Sequence, residues 1–224
     1  MPTSFGNRSS RETRTRSTER RSGRVSRTLD SYESATDVYV QRTRRDSTRA
    51  WQPFIDEFVA QVDAGLVLEL GSGPGWHAAE LERRGLRVER SDGAAAFVDM
   101  MERDGYSART LDIIADDFGG MYDGIFANAV LLHLNSLQFD AVVAKAAAAL
   151  RPGGMLAFTL EEGDGEEWSN EKLDLPRYFK YWREPDVRTR LDPSVWESVS
   201  IASEMSRGGQ QWLMVLAERG RAVS

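Results

Sequence analysis

Apolar residues along the chain recur at two spacings, and each spacing predicts a different element. From Ser31 to about Arg45, Tyr32, Ala35, Val38 and Tyr39 repeat at three- and four-residue intervals, which predicts an amphipathic helix with both tyrosines on one face. Trp51, Phe54, Ile55, Phe58, Val59 and Val62 keep the same period and predict a second helix, starting near Ser47, with Pro53 tolerated in its first turns. The pattern then changes. Leu66-Val67-Leu68-Glu69-Leu70 is a continuous apolar run holding one acid, the signature of a central strand buried on both faces. Further short runs at Leu86 to Arg90, Ser107 to Leu111, Tyr122 to Ala127 and Met155 to Leu160 alternate with helical periods at Trp76 to Arg84, Ala94 to Arg103 and Leu137 to Leu150. Strands alternating with helices predict an α/β fold, a doubly wound parallel sheet with helices on both faces. Two last strands are expected at Val195 to Ile201 and Gln211 to Ala217, joined through Arg207-Gly208-Gly209.

The candidate chemistry sits where the first strand breaks. Gly71-Ser72-Gly73-Pro74-Gly75 follows it at once, and glycines are needed where a backbone turns sharply or approaches a ligand closely. No Gly-Lys-Ser/Thr follows, and the third glycine of the dinucleotide fingerprint falls on Trp76, so a phosphate ligand is disfavoured. Glu69, near the strand's mouth, instead offers negative charge to a cationic ligand. Asp92 ends the second strand about 20 residues beyond the loop, where an acid accepts hydrogen bonds from ribose hydroxyls. Its alternative role is to cap the helix that follows.

The stretch from Leu66 to Trp76 resembles motif I of the class I S-adenosylmethionine-dependent methyltransferases, whose cofactor carries a sulfonium and an amino group and no phosphate. Asp92, Asp112, the Asn128 segment and Arg151-Pro152-Gly153-Gly154 follow in family order, so the resemblance covers about Tyr32 to Glu218. It is similar to small bacterial members whose substrate is unassigned. The resemblance implies a Rossmann-like, seven-stranded, mostly parallel sheet closed by an antiparallel C-terminal strand. It implies S-adenosylmethionine held by Glu69, Gly71, Ser72, Gly73, Gly75, Asp92, Asp112, Ile113 and Asn128, with Asp112 on the adenine amino group and Ile113 against the ring. Leading helices cover the cofactor in this family, which makes Tyr32 and Tyr39 lid residues unless they only pack their helix on the sheet.

His133 follows the fourth strand, on the edge where the methyl group would emerge. An ordinary pKa near 6.5 makes it a candidate general base; the alternative is that Leu131, Leu132 and Leu134 draw it into the core. His77 reads as a capping or packing residue. Tyr178 and Trp182, from the run Tyr178-Phe179-Lys180-Tyr181-Trp182, are candidates for an aromatic substrate wall. Asp116 and Asp117 read as a solvated turn, and the acidic stretch Glu161 to Glu167 as a solvated loop; no metal site is expected.

Composition narrows the function. With 224 residues, 41% hydrophobic and 29% charged, the chain suits one soluble domain, expected over residues 29–220. There is no cysteine, which excludes disulfides, thiolate metal sites and a cysteine nucleophile. Apolar runs fall well short of the roughly 20 residues that span a bilayer, so no membrane association and a cytoplasmic location are expected. The first 27 residues carry eight arginines against Glu12 and Glu19, a net of +6 that leaves −12 on the remainder of a chain totalling −6. With so little apolar content, residues 1–28 are expected to be a disordered Arg/Ser-rich extension. An acidic body disfavours nucleic acid as a partner.

The leading expectation is a metal-independent methyltransferase for a small molecule accepting through O, N or C. RNA or protein methylation using the basic arm, or a nucleotide-binding oxidoreductase, are the alternatives. Methyltransferases of planar amino groups carry Asn/Asp-Pro-Pro-Tyr/Phe after the fourth strand, and the magnesium-dependent catechol type carries acids there. Asn128-Ala129-Val130-Leu131 fits neither. Nothing in the pattern implies an oligomeric state.

Overall fold

In the computed structural model, residues 23–43, 51–206 and 208–221 are described. The expected extension up to residue 22, the predicted helix start at Ser47 and Arg207 lie outside the described residues.

Helix α1 (23–34) begins inside the stretch expected to be an unstructured extension, and α2 (Thr36–Thr43) follows after a one-residue break at Ala35. The hydrogen bonds Ala35 N to Ser31 O (3.1 Å) and Tyr39 N to Ala35 O (2.9 Å) carry across the break. Average composition concealed the start of α1. Val25 is buried, and Thr28, also buried, satisfies its hydroxyl by accepting from Tyr178 N at 3.0 Å. Helix α3 (Gln52–Val62) has its proline in the first turn as expected and buries Phe54, Ile55, Phe58 and Val62.

Five parallel strands follow: β1 (Leu66–Leu70), β2 (Arg87–Asp92), β3 (Ala108–Thr110), β4 (Tyr122–Ala127) and β5 (Leu150–Glu161). Between them run α4 (Trp76–Arg83), α5 (Ala95–Arg103) and α6 (Ser136–Ala149). A capping box starts α6: the Asn135 side chain accepts from the amides of Leu137 and Gln138, and the Gln138 side chain accepts from Asn135 N. The fifth strand is expected from Met155, but the Pro152-Gly153-Gly154 segment already forms the irregular start of β5, with a register shift opposite Tyr122 to Gly124.

The chain then makes a two-stranded hairpin, β6 (Glu166–Ser169) with β7 (Arg177–Lys180), and a short helix α7 (Glu184–Arg190). Strands β8 (Trp196–Met205) and β9 (Gln211–Arg219) close the sheet, β9 antiparallel to both β5 and β8. The sheet order is β3-β2-β1-β4-β5-β9-β8, the seven-stranded, mostly parallel architecture expected.

Successive strand residues feed opposite faces of the sheet. Leu68, Ile125 and Leu156 join the core under α6, whereas Val67, Phe126 and Ala157 join the one under α3. Each fully buried leucine or phenylalanine contributes about 1.5–3 kcal/mol. The order reverses between β1 and β4, so the carboxyl ends of these strands flank the crevice in which an open α/β sheet binds its ligand. Among the described residues, no helix is long and apolar enough to cross a membrane.

The acidic stretch after β5 is not a free loop. Glu166 and Glu167 start β6 and accept hydrogen bonds from the hydroxyls of Tyr178 and Tyr181. The sequence shows their charge but not the tyrosines that meet it.

Candidate active site

The loop after β1 is shaped by its glycines. A Cβ on Gly71 would stand 2.5 Å from Val130 Cγ2, a distance no side chain tolerates, and its φ of 65° is left-handed. Gly75, at φ 78°, is the N-cap of α4. The Ser72 side chain is turned inward: Ser72 Oγ accepts from Ser91 N at 3.2 Å, while Ser72 N donates to Ser91 O at 2.8 Å. The residue therefore ties the loop to the end of β2.

Glu69 is 2% exposed, and its Oε2 has no hydrogen-bond partner. Burial pushes its carboxyl up to about 7, against the opposing pull of a hydrogen bond from Ser72. A buried carboxylate oxygen left unpaired beside a glycine loop fits a cationic group such as the amino group of S-adenosylmethionine.

Asp92 is also buried. Its Oδ2 accepts from Gly73 N and its Oδ1 from Ala94 N, both at 2.8 Å, so it joins the glycine loop to the entrance of α5. Burial raises its carboxyl to about 6, opposed by these backbone hydrogen bonds. The helix-capping role weighed for Asp92 is not what the structure shows: Ala94 is the N-cap of α5, no side chain caps that helix, and there Asp92 holds only the amide of Ala94 itself. Each carboxylate oxygen keeps a second lone pair for a ribose hydroxyl. Asp112 Oδ1 accepts from Ile114 N (2.8 Å) and Ala115 N (3.2 Å), closing the turn after β3. Asp116 and Asp117 close turns in the same way, through Asp112 N and Gly119 N.

Two adjoining cavities open along this edge. The larger, about 710 Å³, is lined by Gly93, Ala94, Asp112 and Ile114 and roofed by Val25, Leu29 and Glu33 of α1. Pockets for cofactors and small ligands are typically about 300–1,000 Å³. The smaller, about 70 Å³, reaches Gly71, Asp92, Ile113, Val130 and His133. The edge therefore presents an adenosine-sized space at Asp112 leading to the glycine loop.

At the exit of β4, Asn128 Oδ1 accepts from the Thr159 hydroxyl at 2.9 Å, and Ala129 sits at φ 56° with its amide donating to Thr159 Oγ1. A non-glycine residue held left-handed stores strain, which clusters at functional sites. His77, in the first turn of α4, pairs with Asn128 Nδ2 and packs on Phe126, in line with a packing role.

His133 lies in a short 3-10 turn, Leu131–His133, and is 9% exposed. Its Nδ1 is 2.7 Å from the Tyr178 carbonyl, which only accepts, so Nδ1 carries the proton. Nε2, 2.9 Å from the Tyr32 hydroxyl, is then the acceptor for Tyr32. Arg177 Nη1 donates to the same hydroxyl at 3.1 Å, leaving its oxygen to accept and its proton to go to His133. Burial, followed by the Arg177 and Lys172 charges, drives the His133 pKa down to about 3, against the opposing pull of the Tyr178 carbonyl. The ring is a neutral hydrogen-bonding element at the cavity wall, which runs against the general-base expectation.

Tyr32 and Tyr39 meet edge to face at 5.6 Å, and Phe97 packs on both. Tyr39 is the nearest group to the Cβ position of Gly73, at 3.9 Å, so Tyr39 lies beside the loop and Tyr32 packs behind it. Tyr178 and Trp182 do not form the expected wall. The Tyr178 ring faces Trp168 and Arg24, and Trp182 is a core residue against Phe139 at 4.6 Å. Alternation along β7 is the reason: Arg177 and Phe179 point toward Tyr32 and His133, and Tyr178 points away. Those two inward residues were missed. The period-two rule applied to the aromatic run, with one further residue included, would have found them.

The sheet order, the glycine loop with its buried acid, and the acids at the ends of β2 and β3 define a class I S-adenosylmethionine-dependent methyltransferase. The comparisons agree. The sequence profile described as "Methyltransferase domain" matches residues 40–211, and the chain belongs to that family. A search of curated proteins finds no match.

Among solved structures, the chain is similar to the 1,6-didemethyltoxoflavin-N1-methyltransferase of Burkholderia thailandensis, determined with 1,6-didemethyltoxoflavin and S-adenosylhomocysteine. The two share 21% identity with a TM-score of 0.65, over 98% of this chain and 94% of that one. The DhpI-SAM-HEP complex matches at 20% identity and TM-score 0.67, over 86% and 97% of the two chains. Magnesium protoporphyrin IX methyltransferase from Synechocystis PCC 6803, with bound S-adenosylmethionine, matches at 18% and 0.67, over 88% and 96%. At these identities the likeness establishes the shared fold.

Proposed function

We propose that the chain transfers the methyl group of S-adenosylmethionine to a small-molecule acceptor through O, N or C, without a metal ion. The observation that carries this reading is the enclosure of the strand edge. Helix α1 is pinned across it by four hydrogen bonds: Tyr32 to His133, Ser31 to the Pro176 carbonyl (2.7 Å), Thr28 with Tyr178 N, and Glu33 with Ala96 N (3.0 Å). A space roofed in this way admits a small molecule more readily than a folded macromolecule. The segment after β4, Asn128-Ala129-Val130-Leu131, brings no carboxylate to the edge, which supports metal independence.

The bound cofactor supplies an activated methyl group on a sulfonium. Glu69 and the glycine loop hold the amino end, Asp92 the ribose, and Asp112 with Ile113 the adenine. Tyr32 and Tyr39 exclude water from the loop. His133, neutral and fixed on both nitrogens, orients the Tyr32 hydroxyl at the acceptor side. Displacement at an activated methyl gains most from such positioning, which holds donor and nucleophile in near-attack geometry. Labelled S-adenosylmethionine offered in parallel with small molecules, RNA and protein tests the reading, using the full chain and one lacking residues 1–22. Label should enter the small-molecule fraction with both chains. Label entering RNA or protein only with the full chain would overturn it.

A further inference from the structure

Arg177 is 4% exposed, yet among the described residues no carboxylate lies within 4.0 Å of its nitrogens. Its partners are neutral: Nη1 donates to the Tyr32 hydroxyl and Nη2 to the Glu171 carbonyl at 2.6 Å, and Nε has none. The guanidinium lies over the Phe179 ring at 4.8 Å and the Tyr32 ring at 5.6 Å. Buried cations are normally paired, because an uncompensated one costs several kcal/mol. This chain obeys that rule elsewhere. Arg90, 3% exposed, grips both oxygens of Glu82 at 2.7 Å. Both arginines leave Nε unpartnered, so the missing carboxylate is what separates them.

A second cation stands within electrostatic reach. Lys172 is exposed overall, but neighbouring protein atoms desolvate its ammonium and lower its proton affinity, and the Arg177 charge lowers it further. Glu161 is the acid nearest in effect; burial raises its carboxyl against the opposing pull of Lys172 and Arg177, and among the described residues no ion pair within 4.0 Å joins it to either. Asp174 is already engaged by Arg42 at 2.7 Å. The Nε and Nη2 edge of a guanidinium is the side that takes two oxygens of one anion. At Arg177 that edge meets only a main-chain carbonyl of the turn in which Lys172 (φ 66°) and Asp174 (φ 58°) are both left-handed.

We propose that Arg177, with Lys172 beside it, receives an anionic group, a carboxylate or a phosphate, carried by the methyl acceptor; this rests on the small-molecule reading above. The position favours the acceptor over the cofactor's own carboxylate. Tyr39 lies beside Gly73, Tyr32 packs on Tyr39, and Arg177 bonds the hydroxyl of Tyr32, so the contacts that link the guanidinium to Gly73 run through two aromatic rings. His133, which shares that hydroxyl, lines the cavity.

The test uses the full chain, with inorganic phosphate and acetate as probes against chloride at equal ionic strength. Phosphate should raise the melting temperature by about 2–4 °C beyond chloride. Arg177→Met should erase that rise while S-adenosylhomocysteine affinity stays within about twofold. Arg177→Lys should keep part of it, and Lys172→Met should reduce it. The proposal is overturned if wild type shows no phosphate- or acetate-specific rise, or if the rise survives in Arg177→Met. It is also overturned if Arg177→Met loses about tenfold or more in S-adenosylhomocysteine affinity and none toward the decarboxylated analogue, since the guanidinium would then serve the cofactor. Should Arg177→Met not fold, an undiminished rise in both Arg177→Lys and Lys172→Met overturns it equally. Failure of wild type to bind S-adenosylhomocysteine would count against the cofactor assignment, while the phosphate arm, run without nucleoside, still decides on the anion site.

Discussion

Replacing Glu69 by glutamine should make the protein more stable and a poorer binder at once. The carboxyl moves from an ordinary value of 4.5 in the unfolded chain to about 7 in the folded one, where it is 2% exposed with one oxygen unpaired. Between these values the folded state keeps a proton that the unfolded state has lost, so stability falls as pH rises through that window. Above pH 7 the accumulated cost is about 3 kcal/mol. Asp92 shifts in the same direction but is common to both proteins and cancels in the comparison. Glu69→Gln removes the ionisable group while keeping the shape. Denaturation at pH 5 should therefore show two proteins of nearly equal stability. At pH 8 the variant should melt about 5–10 °C higher. Calorimetry with S-adenosylhomocysteine at pH 8 should show the reverse order, a loss of about tenfold or more, because a charge-assisted hydrogen bond is worth about 1.5–3 kcal/mol. A stability difference that ignores pH, or an affinity that does not fall, would refute the assignment of Glu69 to the cofactor's amino group.

Asp92→Ala should weaken S-adenosylhomocysteine binding by about 1–3 kcal/mol; unchanged affinity would confine Asp92 to its bonds with Gly73 and Ala94. His133, held near 3 by burial, should contribute no limb to the rate–pH profile between about pH 5.5 and 8, and a limb near 6.5 that disappears in His133→Gln would restore it as a base. Its sign in stability is opposite to that of Glu69: the unfolded ring gains a proton below about 6.5 that the folded ring refuses, so stability should fall as pH drops from there toward 3. Removing residues 1–22 should leave the melting temperature and nucleoside affinity unchanged. Removing 1–34 takes away the roof residues Val25 and Leu29 and should lower affinity about tenfold or more, read by the same titration.

The parallel core of the fold was legible because its signals are local. The apolar run at Leu66 to Leu70, the glycines after it, and the acids closing β2 and β3 are each read from a few neighbouring residues. The start of helix α1 was not legible, because Val25 and Thr28 are isolated among arginines and serines and gain their value only from the cavity and from Tyr178, 150 residues beyond Thr28. A shorter separation hid the β6–β7 hairpin: Glu166 is exposed, as its charge suggests, but it also accepts from the Tyr178 hydroxyl 12 residues further on. His133 shows the limit at the site itself. Its position after β4 was correct, but its chemistry depends on Tyr32, Arg177 and a carbonyl of β7, three partners that sequence spacing does not bring together. Trp182 was taken for the wall and belongs to the core against Phe139, since an aromatic residue looks the same in either place.

The central claim is that the crevice between β1 and β4 is built for an adenosine carrying an amino-acid tail and no phosphate. Calorimetric titration of the full chain with S-adenosylhomocysteine and, in parallel, with NADH tests it most directly. The structure predicts one S-adenosylhomocysteine per chain, with affinity strengthening as pH rises through 7 as Glu69 ionises, and no binding of NADH. Binding of NADH without S-adenosylhomocysteine would contradict the claim.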